Sequence, residues 1–143
     1  MTLTQSKPLN TTMSNISGFN AEANAQTDLE HEVQLGLLQA LCQAAQEQRD
    51  AAAVSEILDQ LSAYSEAHFM SEELLMRLKS YDDYEEHVED HQQMLEALGT
   101  IAADHAAGRS SLVADQAQMT LAFIAQHIAT RDRRFADLVR SGQ

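Results

Sequence analysis

The sequence has no tryptophan, one proline, one cysteine, and only 9 lysines and arginines against 22 aspartates and glutamates. The lone cysteine, Cys42, cannot close an intrachain disulfide, so the chain is not a disulfide-stapled scaffold. It lies in an apolar helical series, reads as a small core residue, and suits a reducing, cytoplasmic compartment. The shortage of positive charge leaves a formal net charge of −13. That argues against a basic surface for nucleic acid or anionic lipid and fits a solvated exterior. No apolar run is long enough to span a bilayer. The amino-terminal stretch has one lysine and no hydrophobic segment, so it is not read as a secretory signal. No β-branched, alternating run bounded by turn residues stands out, and no sheet is expected.

What is present is helix-forming. Ala, Leu, Gln and Glu dominate. A length of 143 residues with 44% hydrophobic side chains allows one domain with one core. Residues 1–26 are polar, with Pro8 and Gly18 as breakers, and read as an amino-terminal extended arm or loop. Residues 27–141 read as four helices of about 25 to 30 residues, each about 40 Å long. The first opens at Thr27-Asp28-Leu29-Glu30, a capping box with Thr27 at the N-cap, and continues through His31, Leu35, Leu38, Cys42 and Ala45. Asp50 caps the second, whose stripe is Val54, Ile57, Leu61, Tyr64, His68, Glu72, Leu75 and Lys79. Asp82 caps the third, with Tyr84, His87, His91, Leu98 and Ile101 on one face and Gly108 as its stop. Ser110 or Ser111 caps the fourth, whose buried series is expected to be Leu112, Met119, Phe123, His127, Phe135 and Leu138. Short connections imply antiparallel neighbours, hence an all-α, up-down-up-down four-helix bundle.

That topology gathers seven residues. His31 lies near the start of the first helix, and His68 and Glu72 near the end of the second. His87 and His91 lie near the start of the third, and His127 and Asp132 near the end of the fourth. All four regions share one end of the bundle. His105, about 21 Å along the third helix from His91, falls at the opposite end and is not a ligand. His68/Glu72 and His87/His91 are i,i+4 pairs about 40° apart, able to reach one metal or a metal pair. His127 and Asp132 are i,i+5, about 140° apart in an α-helix, which suits a carboxylate reaching sideways to a second metal. Any one of these residues, taken alone, reads as an ordinary core or surface side chain. Burying five imidazoles and two carboxylates without a cation would cost several kcal/mol per unpaired charge. The group therefore reads as a dinuclear metal site. Imidazoles also suit Zn, Cu and Ni, so the spacing does not select the metal.

The segments Asp28-x-x-His31, His68-Phe69-x-x-Glu72-Glu73, His87-x-x-x-His91 and His127-Ile128-x-x-x-Asp132 resemble the full hemerythrin signature over about residues 25 to 140, with the short bacterial branch, the bacteriohemerythrins, as the best fit. The resemblance implies two iron ions with a bridging oxo or hydroxo group. His87, His91 and His127 would hold one, His31 and His68 the other, and Glu72 and Asp132 would bridge. It further implies O2 bound as a hydroperoxide at the two-His iron, in a pocket formed by Gln34, Leu35, Phe69, Phe123 and Ile128. Three positions depart from the family's habit: Phe123 replaces a frequent Trp, Glu30 a frequent Gln, and Gln34 a bulky aliphatic. Gln34 either donates a hydrogen bond to a bound ligand, admits water, or points to solvent.

The leading expectation is a monomeric oxygen carrier, store or sensor rather than an enzyme, with no nucleic-acid or membrane partner. The alternatives are a di-iron redox enzyme acting on peroxide or nitric oxide, an iron donor for iron-sulfur repair, and a metal-free structural bundle.

Overall fold

A computed structural model describes the backbone of residues 8–141 and the side chains of residues 21–141. Its elements are α1 (Pro8–Gln46), α2 (Ala51–Leu78), α3 (Tyr84–Ala106) and α4 (Ser110–His127), then a π-helical turn (Ile128–Asp132) that leads into α5 (Arg133–Arg140). The π turn and α5 prolong α4 as one rod. α1 packs on α2 and α4, and α3 packs on the same two, which closes an antiparallel four-helix bundle. Among the described residues there is no strand. No described helix is long and apolar enough to cross a membrane.

The helix ends have local causes. The Asp50 side chain accepts a hydrogen bond from the Ala53 amide, 2.8 Å away, and so caps α2 as expected. α1, α2 and α3 all stop the same way, at a residue with positive φ: Gln48 (53°), Ser80 (51°) and Gly108 (77°). At each stop the next amide reaches back five residues, Arg49 to Ala44, Tyr81 to Met76 and Arg109 to Asp104, in the Schellman pattern. Asp82 does not cap α3. The N-cap position is Asp83, without a side-chain cap bond, and Asp82 pairs instead with Arg134.

Two further expectations are corrected. The first helix does not begin at Thr27, and residues 8–26 are helical rather than a loop. α1 as described runs from Pro8, and residues 1–7 of the expected arm lie outside the described residues. The Thr27 hydroxyl donates back to the Ala23 carbonyl (2.9 Å) within the helix, and Asn24 Nδ2 donates across to Ala136 O (3.1 Å). The fourth helix buries a different face. Val113, Ala117, Thr120, Ile124 and His127 point inward, whereas Leu112, Met119 and Phe123 are exposed. His127 and, beyond the π turn, Phe135 are buried as expected.

Apolar packing falls into two parts. The larger cluster includes Leu38, Leu41, Leu58, Leu61, Leu98, Ile101 and Ile124, with the buried Cys42 among them. The smaller comprises Met76, Tyr81, Phe135 and Val139, where the Tyr81 and Phe135 rings meet edge to face at 4.7 Å. The seven-residue group lies in sequence and in space between these two clusters, closed off at both ends.

Candidate metal centre

The bundle brings all seven predicted residues together, each nearly inaccessible to solvent. His31 comes from α1, His68 and Glu72 from α2, His87 and His91 from α3, His127 from the last position of α4, and Asp132 from the end of the π turn. That turn explains the i,i+5 spacing. The wider π coil returns Asp132 to the face of His127, and Asp132 Oδ1 lies 3.0 Å from His127 Nε2.

The two carboxylates each face two ways. Asp132 Oδ1 lies 2.9 Å from His87 Nε2 and 3.0 Å from His127 Nε2, while its Oδ2 lies 3.0 Å from His31 Nε2. Glu72 Oε1 lies 3.0 Å from His91 Nε2, while its Oε2 lies 3.5 Å from His31 Nε2 and 3.9 Å from His68 Nε2. One oxygen of each carboxylate thus serves the His87/His91/His127 trio and the other serves the His31/His68 pair. Two groupings of ligand atoms are close enough to hold an ion, Glu72/His91/His127/Asp132 and His31/His68/Glu72.

The donor atoms fit a cation. Nε2 of His31, His68, His91 and His127 and both oxygens of Glu72 are buried and make no well-formed hydrogen bond, although the Nε2 atoms of His31, His91 and His127 each lie 3.0 Å from a carboxylate oxygen. A cation between them would satisfy nitrogen and oxygen together. The opposite ring nitrogens are fixed. His68 Nδ1 lies 2.6 Å from Glu30 Oε1, His91 Nδ1 2.7 Å from Glu73 Oε2, and His127 Nδ1 2.9 Å from Asp90 Oδ2. An ionised carboxylate only accepts, so each Nδ1 donates its proton outward and each Nε2 turns its lone pair inward. His87 has no such support, and its Nδ1 is buried and unpartnered.

These three supporting carboxylates form a relay around the bundle. Glu30 on α1 holds His68 on α2, Glu73 on α2 holds His91 on α3, and Asp90 on α3 holds His127 on α4. None is among the seven residues that the sequence picks out. The signal it does offer is adjacency: each is next in sequence to one of the seven, beside His31, Glu72 and His91 respectively. Glu30 bonds to His68 instead of closing the capping box with Thr27. Behind Asp90, Arg131 Nε lies 2.9 Å from its Oδ2, and Arg131 also pairs with Asp83 at 3.0 Å.

Without metal the centre holds protons. Burial alone would lower the His31 pKa, but Asp132 and Glu72 outweigh it and raise the value to about 9. Burial likewise opposes charge on His127, and Asp132 with Asp90 overcomes it, so its pKa is also raised. Burial pushes the Asp132 carboxyl up, yet His127, His31 and His87 hold it well below the usual range. Burial and the Asp132 charge push Glu72 up, but His31, His91 and His68 hold it below its ordinary value.

The residues expected to line a ligand pocket are placed differently from one another. Phe69 is buried, stacked on His91 at 4.0 Å and tilted against His68 at 5.7 Å. Leu35 and Ile128 are half-buried against the core. Phe123 is not a buried wall. It is 39% exposed and lies with Met119 along the outer α3–α4 groove. Gln34 neither points to solvent nor stands alone: it is 1% exposed, and its Nε2 donates to Ser65 Oγ at 2.9 Å. His105 sits at the opposite end of the bundle, bonded to Ala51 O (3.0 Å) and Ser55 Oγ (3.2 Å).

Residues 23–139 match the family model described as the hemerythrin HHE cation binding domain. No curated protein and no solved structure matches the chain.

Proposed function

Because this chain belongs to the hemerythrin HHE cation-binding family, we propose that it is a bacteriohemerythrin-type protein that holds two iron ions and binds O2, as a carrier, store or sensor. The observation that carries this reading is the two-way arrangement of Glu72 and Asp132, whose separate oxygens face a three-imidazole and a two-imidazole cluster.

The Glu72/His91/His127/Asp132 grouping would gain a fifth donor from His87, whose Nε2 lies 2.9 Å from Asp132 Oδ1, and the His31/His68/Glu72 grouping a fourth from Asp132 Oδ2, 3.0 Å from His31 Nε2. Five donors would exceed the tetrahedral set that a structural zinc site uses. The two-imidazole half would have one donor fewer, and so room for an external ligand. When bound, the iron pair would supply the electrons for reversible O2 binding. The chain does the rest. Glu30, Glu73 and Asp90 orient three of the imidazoles. The apolar clusters above and below exclude bulk water. Phe69, flat against His91, keeps that ring from swinging out of the centre.

A di-iron redox enzyme acting on peroxide or nitric oxide is the second reading, favoured by one observation: the Gln34–Ser65 hydrogen bond puts polar groups where a simple carrier would have hydrocarbon. Sustained turnover separates it from stoichiometric binding. The test of the main reading is metal analysis with absorption spectroscopy under controlled O2. Two irons per chain and a spectrum that responds reversibly to O2 support it, and a different metal or none contradicts it.

A further inference from the structure

Buried positions divide the bundle into layers. Next to the layer of imidazoles and carboxylates, on the side of the larger apolar cluster, come Gln34 from α1, Ser65 from α2, Met94 from α3 and Ile124 from α4. Leu38, Leu61 and Leu98 follow. Gln34 and Ser65 are therefore a polar pair, 1% and 0% exposed, set between the candidate centre and hydrocarbon. Packing does not account for them, because two apolar side chains would fill the same layer without a hydrogen bond to satisfy.

Their placement is one-sided. Gln34 is three residues after His31, and Ser65 is three residues before His68, so each shares a helix face with one member of the two-imidazole cluster. Helical side chains lean toward their helix's amino terminus, and along α1 that direction runs from Gln34 toward His31. The Gln34 side chain is therefore directed to the His31 side of its own Cα. Its nitrogen carries two N–H groups, of which Ser65 Oγ takes one at 2.9 Å.

We propose that Gln34, held in orientation by Ser65, is the hydrogen-bond donor to a small anionic or polar ligand bound at the His31/His68 half of the centre, and so determines which ligands that half retains. This rests on the di-iron reading above. Ser65 is a positioning residue, acting through Gln34. A ligand whose free end accepts a hydrogen bond gains from the amide, and a purely apolar ligand does not.

The experiment is an azide titration of the ferric, iron-loaded full chain, comparing wild type with Gln34→Met, which keeps volume without the donor, and Ser65→Ala, which releases the amide. The melting temperature of each metal-free variant is measured alongside. Gln34→Met is expected to weaken azide binding about 5- to 10-fold, the loss of one hydrogen bond. Ser65→Ala is expected to weaken it about 2- to 3-fold, with the azide absorption band shifted in both. A merely structural pair would move melting temperature and leave azide affinity alone. Equal azide affinity in wild type and Gln34→Met, with iron bound in both, overturns this inference and leaves the di-iron reading standing. A wild-type protein that takes up no iron overturns both.

Discussion

His91 stands between consecutive carboxylates of α2: Glu73 Oε2 lies 2.7 Å from its Nδ1, and Glu72 Oε1 lies 3.0 Å from its Nε2. Phe69, one helical turn before Glu73, stacks on the same ring at an angle of 6°. A single helix thus fixes the position, tilt and tautomer of an imidazole that belongs to its neighbour.

Removing the outer grip leaves the ligand in place but loosely held. Glu73→Ala is expected to weaken metal affinity about 10- to 100-fold, the usual cost of losing a carboxylate behind a ligating histidine. Glu73→Gln should do less harm, since its carbonyl still accepts from Nδ1. Competition with a graded chelator series measures both. Equal affinities for wild type and Glu73→Ala would show that the contact with Glu73 does not support the metal.

Arg131 is the cation behind the equivalent grip on His127, within 2.9 Å of Asp90. Arg131→Met is expected to lower metal affinity by less than Asp90→Ala, about 3-fold against 10- to 100-fold, because the arginine acts on the ligand only through Asp90. Chelator competition ranks the two. An Arg131 effect as large as that of Asp90 would contradict this order.

Every pair of neighbouring helices in the bundle is linked across the centre by a donor from each. Metal should therefore cross-link the fold, and chelation should lower the melting temperature by 10 °C or more, as binding free energy is lost from the native state. Calorimetry with and without chelator checks this. Identical melting temperatures would contradict a ligating role for the seven residues.

The metal-free protein should depend on pH in a defined direction. The folded pKa of His31 is about 9 against 6.5 in the unfolded chain. Its contribution to stability is then fully present below pH 6.5 and is lost as pH rises toward 9. His127 shifts in the same direction. Asp132 and Glu72 are depressed, so their contribution is present above the ordinary carboxylate pKa and disappears in acid. The metal-free melting temperature should fall between pH 6.5 and 9, and metal uptake at pH 7 should release protons. A melting temperature rising over that interval would contradict the charge arrangement described.

The seven central residues were legible because two regular spacings are robust. Helical periodicity put His68 with Glu72 and His87 with His91, and chain reversal put all four helix segments at one end. What was not legible depended on contacts between helices. Thr27 and Glu30 look like a capping box, yet Glu30 bonds to His68 on another helix and Thr27 bonds back to Ala23, so α1 runs through the expected start. On α4, residue size favoured Leu112, Met119 and Phe123, whereas the inward face follows His127 backwards through Ile124, Thr120 and Val113. The i,i+5 interval was read as a sideways reach because the π turn that shortens it has no compositional signature. Gln34 faces inward because Ser65, on another helix and 31 residues away, accepts from its amide.

The central claim is tested most directly by reducing the iron-loaded protein without air, recording its absorption spectrum, adding O2, and removing it again, with metal content measured on the same sample. Two irons per chain and a visible band that appears with O2 and disappears on its removal are the predicted result. A chain that binds no iron, or that binds iron and shows no spectral response to O2, would contradict it.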